Sequence, residues 1–432
     1  MSCAIVGAGP SGLYAADALT RKVQGARIDV IDRLPTPFGL VRGGVAPDHQ
    51  GTKAISRQFS RTLGKDGVRF LGNVAVGDAV SFEELKRLYD AVIIASGAEV
   101  DRRLGIPGED LDGVYGSGAF VGWYNGHPDH RDLAPLLDRP GVVVIGNGNV
   151  AVDVVRVLAK TPDEMAASDI CTYAADAINA APITELTMAG RRGPVEASFT
   201  PAELAELGRL ERCRPVVDPA ALPADVGDVA DSDRAYKEKN LETLHEFAAA
   251  ADDGTKPLTL TLLFHAAPVA ILGDGRAEAV RFEKTLIENG RTIGTGETFE
   301  VACGTVVSAI GYVMSPMDRV PMDDGRGITA NADGRIEPGV YAVGWAKRGP
   351  SGTIPTNRAD SIAVVDFIAA DVSPAGKPGG DGLDALLAER GVQVVDLDGW
   401  NRIDTAETAR AEGEHPREKF TSIAEMLAVL DG

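Results

Sequence analysis

Short apolar runs that stop at glycine recur along this chain, the pattern of strands buried on both faces of a sheet. Ala4-Ile5-Val6 ends at Gly7-Ala8-Gly9-Pro10-Ser11-Gly12, after which Leu13, Ala16 and Leu19 fall on one helical face. Ile28-Asp29-Val30-Ile31-Asp32 reads as a second strand, so the chain opens as a βαβ unit of a doubly wound sheet. Leu34 to Gln50 is rich in Pro and Gly and too long for a simple turn, which marks it as a candidate functional loop. Helical spacing resumes at Ile55, Phe59 and Leu63, and the run from Asp90 to Gly97 is another buried strand.

The same sentence of strand, glycine turn and helix returns later. Gly141 to Ile145 leads into Gly146-Asn147-Gly148-Asn149-Val150-Ala151 and a helix through Leu158. A strand at Thr305 to Gly311 echoes Val92 to Gly97. Gly339 to Gly344 forms one more, followed by Trp345-Ala346-Lys347-Arg348-Gly349-Pro350-Ser351-Gly352 and a helix expected over Asn357 to Ala369. Ser373 to Gly382 has the composition of a linker, and the tail beyond it is expected to be peripheral packing. Asp218 to Asp233 fits no pattern. The fold class expected is α/β, with two Rossmann-like dinucleotide-binding domains.

Composition narrows the function. A length of 432 residues fits two or three domains, and 63 acidic against 43 basic residues give a net charge of −20. That excess argues against a nucleic-acid binder, which needs a basic face. Cys3, Cys171, Cys213 and Cys303 include no CxxC, so dithiol chemistry and cysteine-held iron–sulfur clusters are not expected. No apolar stretch approaches the ~20 residues of a membrane span. The opening residues run directly into a strand, so no secretory leader is expected and a cytoplasmic location is.

Gly7-x-Gly9-x-x-Gly12 stands between strand and helix, where the glycines allow a tight turn and let backbone amides meet a pyrophosphate. Asp32 ends the next strand, placed to accept hydrogen bonds from an adenosine ribose. In the second turn, Gly146-x-Gly148-x-x-Ala151, alanine still permits close helix–strand packing. No acid ends the strand that follows; Arg191-Arg192 stand there instead, suited to a 2′-phosphate and hence to NADP rather than NAD. A solvated surface pair is the plainer alternative. Two dinucleotide sites without a redox cysteine pair suggest one bound flavin and one exchangeable nicotinamide, with no metal required. Gly349 to Ile354, ahead of a helix, offers N–H groups to the pyrimidine edge of an isoalloxazine, where the helix dipole favours an anionic ring. Trp345 either walls that ring or is a core tryptophan.

Four blocks carry a resemblance. Pro37-Phe38-Gly39-Leu40-Val41-Arg42-Gly43-Gly44-Val45-Ala46-Pro47-Asp48-His49, the turn from Gly146 to Ala151, Gly190-Arg191-Arg192-Gly193-Pro194, and Gly344 to Gly352 are similar to blocks of the adrenodoxin reductase family of ferredoxin–NADP reductases. They occur in the family's order, span Ala4 to about Phe367, and fit bacterial, mycobacterial-type members best. The resemblance implies an FAD domain (1–100 and 310–432) interrupted by an NADP domain (101–309). It implies hydride transfer from NADPH to FAD, then single electrons to a ferredoxin that feeds an electron-consuming enzyme such as a monooxygenase. It assigns FAD contacts to Gly7, Gly9, Ser11, Gly12, Asp32, Leu40, Val76, Trp345, Gly352, Thr353 and Ile354. NADP(H) contacts fall at Asn147, Gly148, Asn149, Val150, Arg191, Arg192, Glu203 and Gly352. His49 and Glu206 match the family's polar pair near the flavin–nicotinamide contact. From the residues alone, His49 is equally well a proton relay or a loop histidine bonding its own backbone, and Glu206 an exposed helix acid. Two positions depart from the family: Asp32 replaces the usual Glu, and Ser11 a frequent Ala.

Ferredoxins are usually acidic, so docking to this acidic chain calls for a local basic surface, with Arg234, Lys237 and Lys239, or Arg209, Arg212 and Arg214, the densest candidates. Two other readings share the same cofactor motifs: an oxidoreductase serving a quinone-like small molecule, and a flavin-loaded NADP(H)-binding module without turnover.

Overall fold

Ser2–Val6 lies in the middle of a six-stranded sheet, paired in parallel with Arg27–Ile31 on one side and Ala91–Ile94 on the other. The chain thus leaves its first strand toward one edge and later returns on the opposite side, which opens a crevice at the carboxyl ends of those strands. Val68–Leu71 and Val340–Ala342 extend the parallel ladder, and Arg335–Glu337 adds an antiparallel edge. This computed structural model describes residues 1–431 in two compact units. The first comprises Met1–Val100, Asn125–Pro128 and the chain from Gly311 onward; the second, Asp101–Tyr124 and Asp129–Ile310.

In the first unit, Ile5, Ile28, Val30 and Ile93 are fully buried beneath the helices Pro10–Lys22 and Ile354–Asp371. The latter begins at Ile354 rather than Asn357, because Thr353 caps it and Pro355 fits the first turn, where no N–H is needed. The tail corrects the expectation of peripheral packing. Trp400, Ile403 and Met426, on the helices Leu397–Ala409 and Ile423–Asp431, are buried in the same cluster as the central strands. Nor is Ser373 to Gly382 a free linker: the Ala375 N–H donates to Asp90 at 2.9 Å, and Lys377 Nζ donates to the Lys86 and Tyr89 carbonyls at 2.6 and 2.8 Å. Its Pro and Gly residues shape a path over the surface, and those bonds hold it there.

The second unit has its own six-stranded parallel sheet, in the order Val114–Gly116, Thr305–Ser308, Gly141–Ile145, Glu185–Ala189, Leu258–Leu263, Cys213–Val217. A three-stranded antiparallel sheet, Ala266–Leu272, Ala279–Glu288 and Arg291–Ala302, accompanies it. The long helix Asp231–Ala249 takes up the end of the segment that fitted no sequence pattern. All four cysteines are free and buried, and burial pushes the Cys213 and Cys303 thiols up to about 12, far from a reactive thiolate. Among the described residues no helix is long and apolar enough to cross a membrane.

Candidate functional site

Two of the three glycines in the first turn are fixed by packing and the third by open space. Gly7 has φ +113° and a Cβ there would sit 2.5 Å from the Ala95 carbonyl oxygen; one on Gly12 would sit 2.1 Å from the Gly7 carbonyl oxygen. A Cβ on Gly9 would meet nothing nearer than the Gly39 Cα at 4.0 Å. The helix Pro10–Lys22 has no side-chain cap at Gly9, so its first amides face that space, the arrangement that receives a phosphate. Asp32, partly buried, accepts the Ala8 N–H at 2.8 Å and the Leu34 N–H at 3.0 Å. Burial nevertheless outweighs these donors and holds its carboxyl above the ordinary carboxylate value.

The loop after this strand presents Leu40 outward, 43% exposed, while Val76 packs half-buried beside the Ile31–Val92 cluster. His49 precedes the short helix Gln50–Lys53; its N–H donates to the Ala46 carbonyl at 3.0 Å, and its carbonyl accepts the Lys53 N–H at 3.0 Å. Further along the chain, Trp345 is half-buried rather than core. Its ring stacks on Tyr312 with centroids 6.1 Å apart and planes 17° apart, and its Nε1 donates to the Ser351 carbonyl at 3.2 Å. Ser351, Gly352 and Thr353 are exposed, with Gly352 at φ +79°. Ser11, the departure from the family's alanine, donates its hydroxyl to Asn357 Oδ1 at 3.1 Å, and Arg348 Nη2 reaches the same oxygen at 2.6 Å. The first turn and the Trp345–Ile354 segment are thereby tied together within the first unit.

In the second unit Gly146 has φ +143°, and a Cβ there would lie 2.4 Å from the Ala309 carbonyl oxygen, whereas Gly148 faces open space. The helix Asn149–Ala159 also starts without a side-chain cap. Asn147 Oδ1 is buried with no hydrogen-bond partner among the described residues, an orphan acceptor beside the turn. Asn149 is engaged already: its Oδ1 accepts the Thr200 N–H at 2.7 Å and so fixes the start of the helix Pro201–Leu207. Val150 is half-buried and Ala151 fully buried.

Arg191 and Arg192 are exposed, yet their backbone is pinned. The Arg192 carbonyl accepts the His265 N–H at 2.9 Å and the Arg191 carbonyl accepts the Thr285 hydroxyl at 2.7 Å. Among the described residues neither guanidinium forms an ion pair. Glu203 and Glu206 share one face of the helix Pro201–Leu207, and both meet a residue that the sequence reading passed over. Arg156, wholly buried, lies 3.0 Å from Glu203, 3.4 Å from Glu206 and 2.8 Å from Asp153. A lone arginine inside the apolar run Val154-Val155-Arg156-Val157-Leu158 was the available signal.

The model of the pyridine nucleotide-disulphide oxidoreductase family matches residues 1–171. The chain is 40% identical to a mitochondrial NADPH:adrenodoxin oxidoreductase of Arabidopsis thaliana, over 98% of this chain and 94% of that one. It is 39% identical to the NADPH-ferredoxin reductase FprA of Mycobacterium leprae, over 99% and 98% of the two chains. Among solved structures, Mycobacterium tuberculosis FprA in complex with NADPH superposes with a TM-score of 0.93 at 38% identity, covering 100% of this chain and 99% of that one.

Proposed function

Because the chain belongs to the adrenodoxin reductase family of ferredoxin–NADP reductases, we propose that it is an FAD-dependent NADPH:ferredoxin oxidoreductase. The observation that carries this is the difference between its two glycine turns. Each leads into a helix whose first amides no side chain caps, but one is followed by Asp32 and the other by two unpaired guanidiniums. A carboxylate suits a plain ribose and repels a 2′-phosphate; paired arginines do the reverse. FAD accordingly belongs to the first unit and NADP(H) to the second, and the open space at Gly9 and Gly148 and the orphan Asn147 acceptor fit a nucleotide in each.

Bound FAD supplies the chemistry, taking two electrons as hydride from NADPH and releasing them singly to an iron–sulfur partner. The protein's part is to hold and screen. Gly7, Gly9, Ser11 and Gly12 take the pyrophosphate. In the second unit Asn147, Gly148, Asn149 and Val150 take the NADP pyrophosphate and Arg191 and Arg192 its 2′-phosphate. Glu203 and Glu206, both within 3.4 Å of the buried Arg156, serve the nicotinamide end. His49 relays a proton between solvent and the flavin site. The direct test is anaerobic stopped-flow absorbance: NADPH should bleach the flavin band quickly and NADH slowly. A protein that binds flavin but is reduced by neither nucleotide would reverse the proposal.

Asp32 gives a pH-dependent test. A ribose hydroxyl donates to the ionised carboxylate, so binding FAD must lower a pKa that burial holds high in the free protein. FAD affinity should therefore rise with pH through that raised value and level off above it. Asp32→Asn should abolish this slope and weaken FAD binding by about 1.5–3 kcal/mol, the range for a hydrogen bond to a charged group. An unaltered pH profile would show that Asp32 is no ribose ligand.

The docking surface for the acidic partner is proposed to lie near Arg234 and Lys239. Of the other basic candidates, Lys237 Nζ donates to the Ala197 carbonyl at 2.6 Å, Arg212 binds the Leu158 and Ala159 carbonyls at 2.9 Å, and Arg214 pairs with Asp252 at 3.0 Å. Lys239 pairs with the exposed Glu242 at 2.7 Å, and Arg234 lies 3.9 Å from the exposed Glu238 and donates to the Gly227 carbonyl at 3.4 Å; Arg209 is exposed as well. Reversing both charges to Glu should raise the KM for ferredoxin several-fold at low salt while sparing NADPH–ferricyanide turnover. Unchanged ferredoxin kinetics would place the surface elsewhere. A cytoplasmic location is part of the same proposal.

A further inference from the structure

The C-terminal tail buries a carboxylate that the cofactor motifs do not account for. Glu407, on the helix Leu397–Ala409, has a side chain with no solvent exposure. It accepts a two-pronged hydrogen bond from Arg42, one prong at 2.8 Å, and a third bond from the Phe420 N–H at 3.0 Å; Arg417 lies 3.4 Å away. Arg42 belongs to the Pro37–His49 loop, and its guanidinium also sits 5.4 Å over the ring of Trp400, which shares the buried face of its helix with Glu407 two turns away. Trp400 in turn meets the ring of Phe38 edge-on at 5.7 Å.

Phe38 is where this chain of contacts reaches the nucleotide turn. Its φ of +84° is a conformation that a side-chain-bearing residue keeps only when its surroundings enforce it. The enforcement comes from Phe59 stacked at 6.5 Å on one side and Trp400 on the other. The strained conformation lets the Phe38 N–H donate to the Ala8 carbonyl at 2.9 Å and brings Gly39 so close that a Cβ on it would lie 3.0 Å from the Gly9 Cα. The Gly7–Gly12 turn thus packs against a loop whose Phe38 ring the tail's Trp400 meets.

We propose that Glu407 is a positioning residue for the flavin nucleotide: acting through Arg42 and Trp400, it holds the strained Phe38–Gly39 backbone against the Gly7–Gly12 turn. The proposal rests on the assignment of FAD to that turn. A carboxylate far along the chain would then set cofactor affinity without touching the cofactor, as outer partners do around bound groups.

The test uses purified protein stripped of FAD and titrated with FAD by fluorescence quenching, with thermal midpoints recorded for apo and reconstituted forms. Glu407→Gln should raise the FAD Kd about 10-fold, the low end of the loss seen when the outer partners of metal ligands are removed. It should also narrow the gap between the apo and holo midpoints. Arg417→Gln, which leaves the Arg42 fork intact, should lower both midpoints together and leave the Kd alone. An unchanged Kd in Glu407→Gln, with both midpoints lowered equally, would reduce Glu407 to a structural brace and overturn the proposal. If that variant does not fold, Trp400→Phe decides: a several-fold rise in Kd supports the proposal and none overturns it. Gly12→Ala separates the premise from the inference. If Gly12→Ala binds FAD normally, the flavin is not at this turn; if it loses FAD while Glu407→Gln does not, only the role of Glu407 fails.

Discussion

Replacing Arg191 and Arg192 together by alanine is expected to collapse the preference for NADPH over NADH. Each guanidinium that holds a 2′-phosphate makes a charge-assisted bond of about 1.5–3 kcal/mol. Two such bonds share one phosphate and are not fully additive, so a loss of about 3–4 kcal/mol, roughly 10²–10³-fold in the ratio of kcat/KM values, is expected. The NADH value itself should hardly change, for two reasons. Both side chains are exposed, and the segment's position is fixed by its carbonyls, bonded to the His265 N–H and the Thr285 hydroxyl, which alanine leaves untouched. The NADPH advantage of the unaltered enzyme should also shrink as salt rises, because exposed charges are screened. A double variant that keeps its NADPH/NADH ratio would mean the pair is a solvated surface feature.

What the sequence disclosed were the features written locally. The glycine turns are legible as a local motif, and the collision that forbids a Cβ at Gly12 is with the turn's own Gly7 carbonyl, although those at Gly7 and Gly146 come from the Ala95 and Ala309 carbonyls of distant strands. The helix Pro201–Leu207 is local too, with Thr200 at its cap and Pro201 in its first turn. The hairpin between Glu288 and Arg291 was equally local and was passed over: Asn289-Gly290 adopts φ +49° and +73°, the turn this dipeptide favours. The tail was misjudged because Pro- and Gly-rich composition describes a chain's stiffness and not its partners, and the partners of Ala375, Lys377 and Trp400 lie hundreds of residues away. Charge density misled in the same way at Lys237 and Arg212, whose cations are taken up by backbone carbonyls of distant segments. Glu206 could be placed on its helix face from sequence, but not its ion pair with Arg156, fifty positions earlier.

That ion pair makes Arg156→Met the second large expected effect. A wholly buried guanidinium lies within ion-pair distance of Glu203, Glu206 and Asp153, and methionine would fill its volume while removing that cation from all three carboxylates. Breaking a buried ion pair from one side costs about 3–5 kcal/mol. The low end applies here, because the Glu206 side chain keeps 36% of its surface in solvent and Glu203 20%. The sign of the pH dependence identifies the cause. Without the cation, holding the carboxylates ionised side by side costs more in the folded state than in the unfolded one, so the deficit eases as pH falls and they take up protons. A volume defect would be independent of pH. Denaturation of Arg156→Met and the unaltered protein at about pH 8 and about pH 5.5 should therefore give a smaller difference at the lower pH, and the KM for NADPH should rise if Glu203 and Glu206 serve the nicotinamide end. Equal destabilisation at both pH values, with NADPH kinetics intact, would make Arg156 a packing residue and remove the electrostatic link between the core of the second unit and its nucleotide.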